Sequence, residues 1–437
     1  MHILISCVGS AGDVHPFIAI GQALARRGHE VELLTSTHFA ARIEAAGLTC
    51  TPVGTEADFE KVVHHPDLWN PRTCFPVLWQ AISQRMIEAH SLLIARAQPG
   101  RTVLVGSTLA MPVRLAQETH GLSAAMVHLS PVCMWSAQAP AVIPGLGDLS
   151  GWPPALVRLI QATIERGFID RVVAPGFDRI RRDLGLPPAR RLLSRWVNSP
   201  QRVVCAWPDW FSPKQTDWPV QAVTTGFARW SGTAAQSLDP ALLSFLNAGP
   251  PPIGFTPGSA MAHGRDFFAR ALAASAALNQ RALLITPYAD QLPHPLPPHA
   301  HAVSYAPFDA LLPRLAALVH HGGIGTTAQA LAAGLPQGVA PFAHDQFDNA
   351  ARLAKLGVAL RLSARSPVRE WSDALARLTS DASIAAACRH HAALMAEDSD
   401  AADRIADQIE ALPAGPDHPG TGSAAHTGQA STCGRPR

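Results

Sequence analysis

The sequence predicts an α/β fold with two doubly wound domains that face each other across a cleft. Its 437 residues exceed one ordinary domain, and 47% of them are hydrophobic, which is enough for two cores. Short apolar runs alternate with helical patterns in both halves, as is typical of open parallel sheets. Both halves also begin with a strand, a turn of small residues and a helix.

We expect the first domain at residues 1–225 and the second at residues 240–412, joined by a linker that contains Gly, Thr, Ser and Pro. Beyond Pro413 the chain is rich in Pro, Gly, Ser and Thr and poor in apolar side chains. Such a composition cannot bury enough apolar surface to fold, so residues 413–437 are predicted to be a disordered tail.

The first half is expected to begin with a buried strand at residues 3–8, a turn at residues 9–12 and a helix that starts near Pro16. The turn lacks the G-x-G-x-x-G spacing of a dinucleotide site, which argues against NAD. Asp13 follows the turn, at the edge of the sheet where such folds place their sites. Further strands are predicted at residues 30–35, 102–106, 124–129 and 203–207.

In the second half, strands are predicted at residues 253–256, 282–286, 302–305, 315–319 and 338–342. The fourth of these leads through His321-Gly322-Gly323-Ile324-Gly325 into a helix that begins near Thr326. Glycines let backbone N–H groups approach an anion closely, and the N-terminus of a helix attracts negative charge. His321, Gly323, Gly325 and Thr326, with Ser259 from an earlier turn, therefore predict a diphosphate site.

Asp345 and Gln346 follow the last of these strands and place a carboxylate beside an amide, a pair that suits sugar hydroxyls. A helix N-cap would explain Asp345 alone, but core packing does not explain two adjacent polar groups. A diphosphate site and a sugar site together predict a nucleotide sugar as ligand.

Composition excludes several other classes of protein. A formal net charge of +2 argues against a nucleic-acid partner, which requires a clustered basic excess. Seven scattered cysteines without a C-x-x-C pair suggest reduced thiols in a cytoplasmic protein, and the N-terminus does not have the pattern of a signal peptide. No set of metal ligands surrounds the adjacent His320 and His321, so we expect neither a metal nor another cofactor.

Two further segments leave alternatives open. Trp69, Phe75 and Trp79 lie on amphipathic stretches and belong either to the core or to an apolar acceptor cleft, together with the long loop at residues 131–147. Residues 155–196 are helical and rich in arginine. They form either a solvated face with local ion pairs or a surface that attracts acidic membrane lipid.

These motifs resemble those of the GT-B glycosyltransferases, whose two Rossmann-like domains face each other, in the family that includes plant, macrolide and glycopeptide sugar transferases. The matching segments lie in both halves and cover about 410 residues: Gly9 to Pro16, Tyr305-Ala306-Pro307, His321 to Thr326, Gly334-Leu335-Pro336, Pro341 and Asp345 to Ala350. The resemblance implies inverting, metal-independent transfer of a sugar from a nucleotide sugar to an alcohol.

The resemblance also implies roles for single residues. Asp13 is expected to be the catalytic base, although it would also serve as a helix cap, and His15 either assists it or packs. Tyr305 is expected to stack on the nucleobase; the alternative is a partly buried tyrosine at a strand end. Thr286-Pro287 departs from the family, where glycine is commoner.

More narrowly, the chain resembles the rhamnosyltransferases of bacterial rhamnolipid synthesis, on segments such as Asp67 to Pro71, Val77 to Ile82 and Ser199 to Cys205. This implies dTDP-L-rhamnose as donor and the hydroxyl of a 3-(3-hydroxyalkanoyloxy)alkanoic acid as acceptor. It also suggests the acyl-lipid synthase of that pathway as a partner and peripheral contact with the inner membrane. The alternatives are another dTDP- or UDP-sugar with a polyketide, sterol or glycopeptide acceptor, or a nonenzymatic nucleotide-sugar binder.

Overall fold

A computed structural model describes residues 1–230, 232 and 238–414, and it contains two fully parallel sheets. The first sheet has the order β3-β2-β1-β4-β5-β6-β7 and consists of β1 (His2–Ser6), β2 (Glu30–Thr35), β3 (Thr49–Pro52), β4 (Thr102–Ser107), β5 (Ser123–His128), β6 (Arg202–Cys205) and β7 (Ala222–Thr224). The second has the order β10-β9-β8-β11-β12-β13 and consists of β8 (Ile253–Thr256), β9 (Ala282–Ile285), β10 (Ala300–Val303), β11 (Ala317–His320), β12 (Gln337–Val339) and β13 (Ala359–Arg361).

The central strands are short apolar runs because helices cover both faces of each sheet. Every residue of β1, β4 and β5 is buried, and so is every residue of β8, β9 and β11. The α/β class and the two Rossmann-like sheets predicted from the sequence are therefore confirmed.

The helices of the first half are α1 (Ala11–Arg26), α2 (Ala40–Ala45), α3 (Glu56–Val63), α4 (Cys74–Arg96), α5 (Met111–His120), α6 (Pro154–Ile164) and α7 (Asp170–Asp183). Those that follow are α8 (Pro240–Asn247), α9 (Arg265–Ala277), α10 (Phe308–Leu311), α11 (Ile324–Ala332), α12 (Gln346–Lys355), α13 (Val368–Ser380), α14 (Ala382–Glu397) and α15 (Ala401–Glu410). Among the described residues, no helix combines the length and apolar character that crossing a membrane requires.

The predicted boundaries of helix α1 and of strand β10 were wrong. Helix α1 begins at Ala11 rather than near Pro16, because Ser10 caps it and Asp13 accepts hydrogen bonds from Ser10. Strand β10 ends at Val303, so Tyr305 lies beyond it. The strands β3 and β7 of the first sheet and β13 of the second were not predicted.

The strand order of each sheet reverses at one point, between β1 and β4 in the first and between β8 and β11 in the second. Open α/β sheets bind ligands at the carboxyl ends of the strands on either side of such a reversal. The turns at residues 9–12 and at His321 to Gly325 follow β1 and β11, so both lie at these positions.

The last helix, α15, packs against α1 of the first half. Arg27 on the C-cap of α1 bonds to the Asp407 and Glu410 carboxylates at 2.6 and 2.8 Å, and Arg404 donates to the Thr225 carbonyl at 2.6 Å. The chain therefore returns to the first sheet before residue 412. The domain boundaries stay a prediction, and nearly all of the predicted tail falls outside the described residues.

The arginine-rich segment forms several local ion pairs. Arg190 bonds to Asp178 at 2.6 Å, and the buried Arg181 bonds to Glu118 at 2.7 Å. The exposed Arg190 pair agrees with a solvated, locally paired face. The buried Arg181 instead pairs with α5, outside the segment. The six cysteines within the described residues are free thiols.

Candidate active site

Asp13 stands at the start of α1, with one carboxylate oxygen fixed by the helix cap. The backbone N–H and the hydroxyl of Ser10 donate to its Oδ2 at 2.8 and 3.0 Å. Gly9 has a φ of +141°, and a Cβ there would lie 2.3 Å from the same oxygen, so the turn requires glycine. Burial raises the pKa of the Asp13 carboxyl, while the bonds from Ser10 oppose that rise.

His15 lies two residues further along α1 and packs against Trp230 in an edge-to-face contact, with 4.7 Å between ring centroids. Burial lowers the pKa of His15 to about 4, and Arg42 lowers it further. The Nε2 atom is buried and has no hydrogen-bond partner among the described residues. His15 is therefore a neutral, mainly packed side chain in this structure.

The glycine turn of the second half is shaped around the ring of His321. A Cβ on Gly258 would lie 2.8 Å from the ring Cε1, and one on Gly323 would lie 2.3 Å from Nε2. Burial lowers the pKa of His321 to about 3, helped by His320 and His344, so the imidazole is neutral and carries one N–H. Its Nδ1 is buried without a partner among the described residues.

Helix α11 begins immediately after this turn, with Gly323 as its N-cap. The first backbone N–H groups of a helix have no partner within the helix, so those near Gly325 and Thr326 are available to an anion. Ser259 lies exposed on the neighbouring turn after β8. His320 instead bonds to the Gln337 side chain at 3.0 Å and accepts from the N–H of Gly322 at 3.1 Å. The side chains of the adjacent His320 and His321 therefore have different neighbours.

The two turns meet across the space between the sheets. A Cβ on Gly325 would lie 3.2 Å from the Cα of Gly12 and 3.4 Å from its carbonyl oxygen. A larger residue at Gly325 would therefore press on the backbone of Gly12 at the start of α1. The second-half turn therefore faces the turn that carries Asp13.

Asp345 is the N-cap of α12, and the pKa of its carboxyl is raised. Burial raises the pKa of its carboxyl from an ordinary value of 3.8 to about 7, and the charge of Asp13 raises it further. Gln346, its predicted partner, is turned toward its own loop, where its amide oxygen accepts from the N–H groups of Phe342 and Ala343 at 2.8 and 3.0 Å.

Asn349 organises this region, and no role was assigned to it from the sequence. Its amide donates to the Asp345 carboxylate at 2.8 Å and to the carbonyl of Gly322 at 2.9 Å. Its amide oxygen accepts from the hydroxyl of Ser130, which follows β5 in the first half, at 3.1 Å. Asn349 lies one helical turn after Asp345, a spacing that the sequence does contain. Ser130 has no comparable local signal.

A second buried network approaches the two carboxylates from the first sheet. The Nε2–H of His128 donates to the Asn198 amide oxygen at 2.8 Å, so Nδ1 accepts from the Thr108 hydroxyl, also at 2.8 Å. Thr108 also contacts the Cys133 sulfur at 3.5 Å. Burial raises the pKa of the Cys133 thiol to about 12, and the charges of Asp345 and Asp13 add to the rise.

Tyr305 is 49% exposed, so one part of its ring is accessible to a ligand. The guanidinium of Arg42, from α2 in the first half, lies over the ring at 6.0 Å from the centroid. Burial raises the pKa of the Tyr305 hydroxyl, and Arg42 opposes that rise. The predicted nucleobase position is therefore a half-exposed ring at the boundary of the two halves.

The three aromatic residues predicted for the acceptor occupy different surroundings. Trp69 contacts the His344 ring edge to face at 5.6 Å and thus lies beside Asp345. Trp79 is 9% exposed and packs against Phe177 at 6.2 Å in the core beneath α4, while Phe75 contacts Phe168 at 5.8 Å. Only Trp69 is brought next to the sugar motif.

A cavity of about 540 Å³ is lined by Asn70, the residue that follows Trp69 in the chain. Its walls come from residues 70–72 and 142–147 of the first half and from Phe347, Arg361 and Arg365 of the second. The backbone N–H of Val142 bonds to the Asp348 carboxylate at 2.9 Å, which fixes the long loop against α12. The loop predicted to be functional therefore forms one wall of this cavity.

Comparisons with known proteins agree with this architecture. Residues 3–127 match the glycosyltransferase family 28 N-terminal domain, and residues 270–412 match the erythromycin biosynthesis protein CIII-like C-terminal domain. The chain is 32% identical over 377 residues to an O-mycaminosyltylonolide 6-deoxyallosyltransferase from Streptomyces fradiae, covering 83% of this chain and 85% of that protein. The chain belongs to this family of nucleotide-sugar glycosyltransferases and has the GT-B fold.

Solved structures support the fold. The glycotransferase of kitacinnamycin superposes with a TM-score of 0.71 at 22% identity, covering 94% of this chain and 98% of that one. The spinosyn rhamnosyltransferase SpnG, complexed with thymidine diphosphate, superposes with a TM-score of 0.62 at 21% identity, covering 96% and 98%. The names of these proteins refer to tylonolide, kitacinnamycin and spinosyn.

Proposed function

We propose that the protein transfers a sugar from a dTDP-sugar to a hydroxyl group of a polyketide- or macrolide-type natural product, with inversion and without a metal. The observation that carries the proposal is the close approach of Gly12 and Gly325, which places the turn of Asp13 opposite the start of α11. A base on one wall and an anion site on the other are the two parts that glycosyl transfer needs. The names of the Streptomyces fradiae relative and of the thymidine diphosphate complex support the acceptor class and the nucleotide.

In the proposed reaction, Asp13 accepts the proton of the acceptor hydroxyl while the oxygen of that hydroxyl attacks the anomeric carbon of the sugar. The new carbon–oxygen bond forms on the face opposite the diphosphate, and the bond to the diphosphate breaks. The raised pKa of the Asp13 carboxyl suits this role because a base works best when its pKa approaches the working pH. The free carboxylate oxygen is Oδ1, since the bonds from Ser10 both go to Oδ2.

The leaving diphosphate is proposed to bind at the start of α11. The neutral His321 supplies one N–H, the backbone near Gly323 and Gly325 supplies others, and Thr326 and Ser259 add hydroxyls. Such fixed donors stabilise charge that develops as the bond breaks, which lowers the barrier. Asp345 and Gln346 are proposed to hold the sugar, and Tyr305 the nucleobase.

A second candidate acceptor is the 3-(3-hydroxyalkanoyloxy)alkanoic acid of rhamnolipid synthesis, with dTDP-L-rhamnose as donor. The observation that favours it is the cavity lined by Asn70, whose walls combine apolar side chains with three arginines. An acyl chain would gain roughly 0.8 kcal/mol for each methylene buried in such a place.

A cytoplasmic location and contact with the inner membrane also stay predictions. Leu159, on α6 within the arginine-rich segment, is 63% exposed, and Trp152, in the turn before α6, is 48% exposed. If this surface contacts the membrane, the protein should bind acidic vesicles in a flotation assay, and the variant Leu159→Ser should bind them less. Equal flotation of the variant and the unchanged protein would contradict a membrane role.

The function is tested by product analysis with purified protein. The donors are dTDP-L-rhamnose, other dTDP-sugars and UDP-sugars, and the acceptors are a macrolide aglycone and the hydroxyalkanoyloxyalkanoic acid, with products identified by mass spectrometry. We expect transfer from a dTDP-sugar to one of the acceptors in the presence of EDTA. Binding of dTDP-sugars without transfer to any alcohol would instead indicate a nonenzymatic binder. A strict Mg²⁺ requirement would contradict the proposal that protein donors alone stabilise the leaving diphosphate.

A further inference from the structure

Arg42, on α2 of the first half, is a partly buried cation without an acidic partner. Within the described residues, its guanidinium forms no ion pair. Burial of a charge is costly unless the charge is paired. By contrast, the buried Arg114 and Arg181 both pair with Glu118, at 3.0 and 2.7 Å. The charge of Arg42 is therefore available to a ligand.

The guanidinium of Arg42 faces the second half of the chain. Its Cζ atom lies over the Tyr305 ring at 6.0 Å from the centroid, which is the outer limit of a cation–π contact. Tyr305 is 49% exposed, and its ring is the proposed position of the nucleobase. A base in contact with both groups would lie about 3.5–4.0 Å from each, so the ring and the guanidinium would be about 7–8 Å apart. The two side chains therefore need to separate by only about 1–2 Å to hold a base between them.

A guanidinium is suited to such a position. It is planar and weakly hydrated, and proteins stack unpaired bases both on aromatic rings and on arginine planes. Its charge acts on groups of both halves, because it lowers the pKa of the Tyr305 hydroxyl and the pKa of the His15 imidazole. A positive charge at this boundary favours an anionic ligand, such as a nucleoside diphosphate.

Two more polar groups of the first half lie unpaired at the boundary with α11. Trp230 contacts His15 with 4.7 Å between ring centroids, and its carbonyl accepts from Gln329 on α11 at 3.4 Å. The Trp230 Nε1 and the His15 Nε2 are both buried without a hydrogen-bond partner among the described residues. Buried polar atoms are nearly always hydrogen-bonded in native proteins. The first half can therefore bind a polar ligand that α11 holds from the other side.

We propose that Arg42 binds the nucleobase of the donor: the base stacks on Tyr305, and the guanidinium of Arg42 covers the other face of the base. The inference rests on the proposed function for the identity of the donor as a dTDP-sugar. It deepens that function by giving the first half a share in donor binding. A donor held in this way bridges the two halves, because α2 lies between β2 and β3 whereas Tyr305 follows β10.

The test is calorimetric titration of the full chain with dTDP and with pyrophosphate, which lacks the base. We expect Arg42→Gln to bind dTDP about three- to tenfold more weakly, and pyrophosphate within about twofold of the unchanged protein. Arg369→Gln is the matched control, since the Arg369 side chain is 91% exposed on α13, and it should bind both ligands as the unchanged protein does. Unchanged dTDP affinity in Arg42→Gln would overturn the proposal. Equal weakening of both ligands would also overturn it, since the charge would then attract the diphosphate rather than cover the base.

A second variant, Arg42→Lys, keeps the charge without the plane and gives the answer if Arg42→Gln does not fold. It should bind dTDP more weakly than the unchanged protein does and pyrophosphate equally well, because an ammonium group is not planar. Full dTDP affinity in Arg42→Lys would assign the effect to charge alone and would overturn the stacking contact.

A double variant distinguishes a direct contact with the base from support of the Tyr305 ring. In the Tyr305→Ala background, Arg42→Gln should weaken dTDP binding further, because the guanidinium contacts the base itself. Without a further loss in that background, Arg42 would act only through the ring, and the proposal would be wrong.

Failure of the proposed function is visible separately. We expect the donor KM of Arg42→Gln to rise about three- to tenfold while kcat changes by less than about twofold. If dTDP binding depends on Arg42 but no sugar reaches any alcohol, the nucleobase contact stands and the transfer function falls. If transfer from a dTDP-sugar occurs with the same donor KM in Arg42→Gln and in the unchanged protein, the function stands and the role of Arg42 falls.

Discussion

Asp13 could act as a catalytic base or only as a helix cap, and the variant Asp13→Asn distinguishes these two roles. The comparison is possible because a second helix of the chain has the same kind of cap. In α3, the backbone N–H and the hydroxyl of Thr55 donate to Asp58 Oδ2 at 2.8 and 2.7 Å, as those of Ser10 donate to Asp13 at 2.8 and 3.0 Å. Asp58 is partly exposed and pairs with Arg85. Asp58→Asn is therefore a matched control for the loss of a capping carboxylate.

The expected magnitudes differ for the two variants. Loss of a cap costs about 0.5–2 kcal/mol of unfolding free energy, and both variants should show it in urea denaturation. Loss of a general base lowers turnover by about 10²–10⁴, which corresponds to about 3–5 kcal/mol of barrier, and only Asp13→Asn should show that. Turnover is followed as release of dTDP, and calorimetry checks that dTDP affinity changes by less than about threefold.

Two results would refute this reasoning. Turnover within about twofold of the unchanged protein in Asp13→Asn would show that the carboxylate is only a cap. An equal loss of turnover in Asp58→Asn would show that the effect follows from helix stability rather than from chemistry.

Three further predictions concern the groups around the two carboxylates. Asn349→Ala removes the bonds to Asp345 and Gly322, so it should lower the free energy of unfolding in urea by about 3 kcal/mol and reduce kcat more than donor affinity. Ser130→Ala removes one neutral bond and should lower that free energy by about 1 kcal/mol. Equal losses in the two variants would contradict the central place of Asn349. The pKa of Asp345 is raised in the folded state, so the folded protein binds the extra proton, and the unfolding free energy should fall by up to about 4 kcal/mol as pH rises from about 4 to about 7. Asp345→Asn should remove that part of the pH dependence, and an identical profile would contradict the raised pKa. Tyr305→Ala should weaken dTDP binding by about 1–3 kcal/mol in calorimetry while leaving pyrophosphate binding unchanged, if the ring stacks on the base.

The sequence predicted the buried strands because a parallel strand with helices on both faces must be apolar along its whole length. β2 and β8 were placed correctly to the residue. β7 and β13 have only three residues each, too few for a periodic pattern to stand out. The predicted start of α1 was wrong because proline favours the first turn of a helix, whereas Ser10 and Asp13 already have the spacing of a capping pair.

The candidate site was less accessible to sequence reasoning. Asp13, His321 and Asp345 could be selected because each follows a strand at the carboxyl edge of a sheet. The sequence could not decide whether Trp79 lies in the core or in the acceptor cleft, since an apolar position on a helix shows the same periodic pattern in both locations. The Ser130–Asn349 bond joins residues 219 positions apart and leaves no trace in a single sequence.

The anion site at the start of α11 is the central claim, and dTDP binding to His321→Ala tests it most directly. Calorimetry compares dTDP with thymidine, which lacks the diphosphate, in this variant and in His301→Ala, a control on β10 whose ring stacks on Phe245. We expect His321→Ala to bind dTDP about tenfold more weakly or worse, with thymidine binding unchanged in both variants. Undiminished dTDP affinity in His321→Ala would contradict the assignment of the glycine turn to the diphosphate.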